Sequence, residues 1–297
     1  MSAPGPISWL VTGARGQLGH DLLDVLAGRA DEEVTAVGRA ELDLTDESAV
    51  RTVVRDWLTR SAGARPVLLN AAAYTAVDAA ETDETTAQLV NGAAPGWLAE
   101  EMAGRGRLVH VSTDYVFDGS ATEPYPVDAP TAPRSAYGRT KAAGEWAIGA
   151  VGADATVVRT AWVYGRHGSN FVRTMTNLEG SRDTLTVVDD QVGSPTWSAD
   201  LAAGLVELGA RQSPVPPVLH YTNSGQVSWF GLARAVFEEL GADPERVQPT
   251  TSDAYVRPAP RPAYSVLDGD AWVQAGLTAP QPWRSALRQA MERGFRD

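Results

Sequence analysis

Tyr137 and Lys141, in the segment Tyr137-Gly138-Arg139-Thr140-Lys141, stand four residues apart, a spacing that puts two side chains on one face of a helix. A phenol with a pKa near ~10 exchanges protons poorly at neutral pH. An ammonium group beside it stabilises phenolate and draws that value toward the operating range, which would suit general acid and base work. The lysine could also hold a nicotinamide ribose. Thr113, just past the apolar run 108–112, would supply a hydroxyl to orient a reacting carbonyl. A Tyr and Lys at this spacing are common by chance. Their place after a strand-end Ser112-Thr113 and a glycine-rich start makes the order diagnostic.

That start is Gly13-Ala14-Arg15-Gly16-Gln17-Leu18-Gly19, directly after the apolar run 7–12. Glycines between a strand and a helix permit a tight turn and let backbone N–H groups approach a pyrophosphate, to which the helix N-terminus adds partial positive charge. Gly38-Arg39 follows the second apolar run, where this kind of turn faces the adenosine ribose. A carboxylate there would accept the 2′-hydroxyl, whereas Arg39 can pair with a 2′-phosphate, so NADPH is favoured with NADH possible. Asp43 could hydrogen-bond the adenine amino group. After the third run, Asn70-Ala71-Ala72-Ala73 offers small side chains that let the backbone pass close to a flat cofactor.

The elements that must position these residues alternate. Strands are predicted at 7–12, 34–37, 66–70, 108–112 and 155–159, with helices at 17–26, 47–58, 84–103 and 135–149 between them. Such alternation implies an α/β chain with a Rossmann-like, doubly wound parallel sheet, whose ligands bind at the carboxyl ends of the strands. The second half is less regular, with proline clusters at 124–133, 214–217 and 258–262 marking loops. Helices are expected at 171–178, 198–208, 228–240 and 283–293, with short strands near 184–188 and 218–222. This gives a cofactor domain over 1–160 and a smaller C-terminal α/β substrate domain over 161–297, with 190–210 able to return to the first.

Composition narrows the function further. The 297 residues, 43% of them apolar, can bury one large core or two modest ones. There is no cysteine, which excludes disulfides, thiolate metal sites and cysteine nucleophiles. A net charge of −12 argues against nucleic acid or an anionic membrane as partner, though a locally positive pocket can still take an anionic small ligand. His20, His110, His167 and His220 show no metal-ligand spacing and read as structural. The opening residues lack a basic stretch followed by an apolar one, so a cytoplasmic protein is expected.

With these residues in place, the chain resembles the dTDP-4-dehydrorhamnose reductase family of the extended short-chain dehydrogenases. The resemblance rests on Ser112-Thr113-Asp114-Tyr115-Val116-Phe117, Arg159-Thr160-Ala161-Trp162-Val163-Tyr164-Gly165, Asp189-Asp190-Gln191-Val192-Gly193-Ser194-Pro195-Thr196, and Arg261-Pro262 with Ser265. It runs from Thr12 to about Arg293. It implies hydride transfer to C4 of dTDP-4-dehydro-β-L-rhamnose, giving dTDP-L-rhamnose, with Thr113, Tyr137 and Lys141 catalytic and Tyr137 the proton donor. It places Val77, Asp114, Tyr115 and Trp162 at sugar-binding positions. Gly16, Gln17, Leu18, Leu42, Asp43, Ala73, Tyr74 and Thr75 fall at cofactor positions. Some members bind magnesium through glutamates at a dimer interface; the matching positions here are Asp21, Ala199 and Gly294, too few carboxylates, so no metal site is expected. A monomer or a homodimer fits equally.

Two other readings share much of this pattern. A sister dTDP-4-keto-6-deoxysugar reductase or a dihydrostreptose-type synthase would carry the same catalytic residues. A noncatalytic regulatory subunit, like the beta subunit of methionine adenosyltransferase that resembles these reductases, would not need an intact Tyr137, Lys141 and glycine turn.

Overall fold

A computed structural model describes residues 5–29 and 31–295. Its centre is a parallel six-stranded sheet. Strands β1 (Ile7–Thr12), β2 (Glu33–Val37), β3 (Arg65–Asn70), β4 (Arg107–Thr113) and β5 (Ala155–Thr160) lie in the order β5-β4-β3-β1-β2, and Val218–His220 adds the outer strand beside β5. All six residues of β1 are buried, as expected of a strand covered on both faces. Trp9 and Val11 point to one apolar layer, with Leu22 and Leu26 of helix α1 (Gln17–Ala27). Leu10 points to the other, with Val54 and Trp57 of helix α2 (Glu47–Arg60). A further apolar cluster around Trp197, Leu232, Phe237 and Leu287 holds the second half together.

The chain passes from β1 out to β2 and then returns to place β3 on the other side of β1, so the order reverses there. That reversal opens a crevice at the carboxyl ends of β1 and β3. The helix Ala136–Val151 supplies Tyr137 and Lys141 to the crevice lining. Ser135 caps its first turn by accepting from Gly138 N at 3.1 Å, and Gly152, with φ 68°, ends it in the left-handed conformation. Such a cap contributes roughly 1 kcal/mol.

Two expectations about the elements change, and the segment 190–210 packs with the first half, one of the two placements its sequence allows. The helix read over 84–103 is broken into Glu84–Gln88, a wide π turn Leu89–Ala93, and Ala94–Met102. Pro95 has no N–H to offer the carbonyl four residues back, that of Asn91, and the ladder widens there. The strand expected near 218–222 in the second half instead pairs with β5 over Val218–His220. The helix Ser198–Ala210 lies on the sheet with α1, and a Cβ on its Gly209 would come within 2.8 Å of the Trp9 ring. Both segments therefore pack with the first 160 residues. Short two-stranded pairings, such as Leu185–Val188 with Val247–Thr250, organise the rest.

Candidate active site

The crevice is a cleft of about 1080 Å³ that runs from the glycine turn to the second half of the chain. At one end, Gly13 has φ 69° and lies so close to the loop after β3 that a Cβ would fall 2.7 Å from Ala72 N. A Cβ on Gly19 would meet Gly13 O at 2.2 Å. Helix α1 starts at Gln17 with neither a side-chain cap on Gly16 nor an acidic residue in its first turn. Its first N–H groups and its positive end are thus left for an anion. Gln17 Oε1 also accepts from Asn170 Nδ2 at 2.8 Å, tying the turn to the second half, and Leu18 completes this wall.

Further along, Gly38 N donates to Glu41 Oε2 at 2.8 Å. A Cβ on Gly38 would press to 2.7 Å from Arg15 Cγ, so this corner takes no larger residue while Arg15 stays there. Arg39 is exposed at the mouth, and Arg15 reaches Glu41 at 3.9 Å. Leu42 is buried, whereas the exposed Asp43 spends Oδ1 on Thr45 N and Oγ1 at 2.9 and 2.8 Å. The loop of Ala73, Tyr74 and Thr75 lines the opposite wall. Asn91, buried in the π turn, clamps it by accepting from Tyr74 N at 2.8 Å and donating to Tyr74 O at 3.1 Å.

At the centre, Thr113 closes β4, and Tyr137 and Lys141 project from the Ala136–Val151 helix. Thr113 Oγ1 donates to Asp114 Oδ1 at 2.9 Å and accepts from Tyr115 N at 3.2 Å. Tyr115 meets Tyr137 edge to face, centroids 5.5 Å apart. Lys141 is the sole lysine of the chain and is 1% exposed. Its Nζ donates to Val111 O at 2.7 Å and lies 3.1 Å from His110 Nε2. Burial pulls its pKa down to about 8, partly offset by the Glu145 carboxylate.

The expected lowering of the tyrosine pKa is not what this arrangement gives. Burial, with the Asp114 charge behind it, pushes the Tyr137 phenol up to about 12, against an opposing Thr113 hydrogen bond. The lysine nitrogen is turned to Val111 and His110, so it offers the phenol little charge.

At the far end stand Val77, Asp114, Tyr115 and Trp162. Asp114 is buried, and its Oδ2 finds no hydrogen-bond partner among the described residues. Burial raises its pKa to about 6, with the Ser265 and Thr113 hydroxyls opposing. Trp162, just past β5, is half-buried and has φ 48°, the only positive φ of a non-glycine among the described residues. Every residue assigned from the sequence to catalysis, cofactor binding or sugar binding lines this one cleft. Sequence reasoning missed Asn70, His110, Asn91 and Trp229. The first two are polar residues at apolar strand positions, a signal the sequence carries: His110 reads there as structural, and Asn70 appears only as the start of the small-residue stretch after β3.

A parallel sheet of this order, with a glycine turn at its reversal point, is a Rossmann-like fold. The chain belongs to the family described as RmlD substrate binding domain, which it matches over residues 7–295. It is 52% identical over 285 residues to a probable dTDP-4,6-dihydroxy-2-methyloxan-3-one 4-ketoreductase of Streptomyces antibioticus, covering 95% of this chain and 94% of that one. It is 50% identical over 288 residues to a dTDP-4-dehydrorhamnose reductase of Streptomyces griseus, covering 95% and 92%. The crystal structure of dTDP-4-dehydrorhamnose reductase from Bacillus anthracis in complex with NADP superposes with a TM-score of 0.90 at 31% identity, covering 97% of this chain and all of that one.

Proposed function

We propose that this chain is an NADPH-dependent dTDP-4-keto-6-deoxysugar reductase that converts dTDP-4-dehydro-β-L-rhamnose to dTDP-L-rhamnose. The observation that carries the reading is one cleft in which Thr113, Tyr137 and Lys141 lie between a glycine turn and a pocket bearing Asp114 and Trp162. The names of the relatives from Streptomyces griseus and Bacillus anthracis support the substrate and NADP, and the Streptomyces antibioticus relative supports the wider class of keto sugars.

The cradle fits a dinucleotide: Gly13 and Gly19 leave no room for a Cβ, and α1 presents an uncapped N-terminus. The turn at residues 13–19 would hold the pyrophosphate, Arg39 a 2′-phosphate, and Ala73 to Thr75 the flat rings. Bound NADPH would supply hydride to the C4 carbonyl. Tyr137 would donate its phenolic proton to the oxygen at C4. With its pKa raised to about 12, the phenol carries at neutral pH the proton that the C4 oxygen takes up. Thr113 would orient the carbonyl, and Asp114 Oδ2 would receive a sugar hydroxyl. The indole of Trp162 would cover the apolar face around the C6 methyl, which cannot hydrogen-bond.

NADPH oxidation measured across a panel of dTDP-4-keto-6-deoxy sugars tests the reading. The 4-dehydrorhamnose nucleotide should give the highest kcat/KM. Faster turnover of another 4-keto sugar would reassign the substrate, and no oxidation with any of them would remove the reductase reading.

A further inference from the structure

We propose that His110 is a positioning residue for Lys141: it ends a buried chain through Thr12 and Asn70 that presents an N–H to the lysine nitrogen and favours its neutral amine form. The inference rests on the reading of this cleft as a reductase site with Lys141 at its centre.

The direction of each hydrogen bond follows from what each group can do. Ala72 N, at 3.3 Å, and Thr12 Oγ1, at 2.6 Å, converge on one atom of the Asn70 amide. A backbone N–H only donates, so that atom is the oxygen, and the amide nitrogen is turned the other way. Asn70 Nδ2 lies 2.9 Å from His110 Nδ1. An amide nitrogen also only donates, so Nδ1 carries the lone pair. His110 is wholly buried, and that burial is the main cause holding its pKa well below the usual range, so the ring is neutral with a single proton. That proton sits on Nε2, 3.1 Å from Lys141 Nζ. An ammonium has only hydrogens to offer and would meet the Nε2–H head on. An amine has a lone pair to receive it. Val111 O takes a hydrogen from either form.

The other charged groups around Lys141 leave this bias standing. Glu145, one turn further on, favours the ammonium, but its carboxylate is taken up by Ser112 Oγ at 2.5 Å and by Arg159 of β5 at 2.7 Å. Tyr137, one turn back, and Asp114 and Tyr115 beyond β4 are pushed toward their protonated forms by burial. On the neighbouring short helices, Asp78 is paired with Arg261, Glu81 accepts from Ala136 N, and Glu84 is paired with Arg139. Glu101 is held by Arg51 and Arg55. Lys141 therefore exchanges between amine and ammonium instead of standing as a fixed charge.

Because Lys141 is the only lysine, protein grown on lysine labelled with ¹³C at Cε gives one lysine side-chain signal, whose pH titration reads this residue alone. The midpoint in the wild-type protein without nucleotide should lie well below that of free lysine. His110→Leu, which removes the donor, should raise it by about one pH unit, a tenfold gain in proton affinity. His110→Gln, which retains an N–H at that distance, should restore most of the shift. Histidine ¹⁵N spectra of the wild-type protein supply a reading independent of any variant's folding: Nδ1 of His110 should be bare and Nε2 protonated. An unchanged midpoint in a folded His110→Leu protein, or a proton on Nδ1, would overturn the proposal. A protein with the expected titration that fails to oxidise NADPH would count against the reductase reading alone.

Discussion

The indole of Trp162 lies flat on that of Trp229, with ring centroids 3.5 Å apart and planes within 6°. The stack holds a residue whose φ of 48° costs on the order of 1–3 kcal/mol for anything but glycine. Gly193 leaves the slot: a Cβ there would sit 2.4 Å from Trp162 Cε2. Trp229 starts the helix Trp229–Glu239, so the second half of the chain sets the position of a residue that follows β5.

Removing either partner should therefore damage the sugar end of the cleft and spare the coenzyme end. Aromatic pairs contribute about 0.5–1.5 kcal/mol beyond buried area, so Trp229→Ala should lower kcat/KM for the sugar nucleotide by about tenfold. Trp162→Ala should cost more, since it removes the covering ring itself. NADPH titration of the same purified proteins should be unchanged. Equal loss at both ends, or lost thermal stability with neither altered, would make the pair ordinary packing.

Tyr137→Phe removes only the hydroxyl. If the phenol protonates the C4 oxygen, its loss belongs to the transition state, and kcat should fall by about 10²–10⁴. NADPH affinity should stay within about twofold. Steady-state turnover and coenzyme titration check the two halves of this statement separately.

Arg39 is exposed at the mouth beside Gly38; under the proposed function it would pair with the 2′-phosphate of NADPH. A charge-assisted hydrogen bond contributes about 1.5–3 kcal/mol, so Arg39→Ala should lower kcat/KM for NADPH by roughly ten- to a hundredfold. NADH use should change little. Equal effects on both coenzymes would return Arg39 to a surface role.

Asp114 makes a pH-dependent contribution to stability. Its folded pKa is raised from 3.8 to about 6, chiefly by burial. Between those values the folded chain binds more protons than the unfolded one, so stability falls as pH rises through that window and stays reduced above it. Asp114→Asn should thus be more stable than the wild type at neutral pH by about 3 kcal/mol, with the advantage fading below about pH 4. Sugar turnover should fall in the same variant. Denaturant melts over a pH series measure it.

The sequence made the sheet legible because β1, β3 and β4 are covered on both faces and read as apolar runs. The glycine turn and the Tyr137–Lys141 pair were legible for the same local reasons. Features set by distant neighbours were not. Val218–His220 is three residues long and joins the sheet only through β5. The π turn at Asn91 has the apolar pattern of a continuous helix, and Pro95 alone marked the break. Trp229 looks like any core aromatic at a helix start, and its partner lies 67 residues earlier in the chain. The direction of the Lys141 side chain was invisible for a further reason: its nitrogen is turned by a histidine and a carbonyl on β4, not by the tyrosine on its own helix.

The most direct test of the account follows the hydride. NADPH carrying deuterium at the transferable position of the nicotinamide should be turned over with dTDP-4-dehydro-β-L-rhamnose, and the product examined by NMR. The account predicts dTDP-L-rhamnose with deuterium at C4, formed by the wild-type chain and nearly absent with Tyr137→Phe. Label at any other carbon, unlabelled product, or no product from a folded wild-type protein would contradict it.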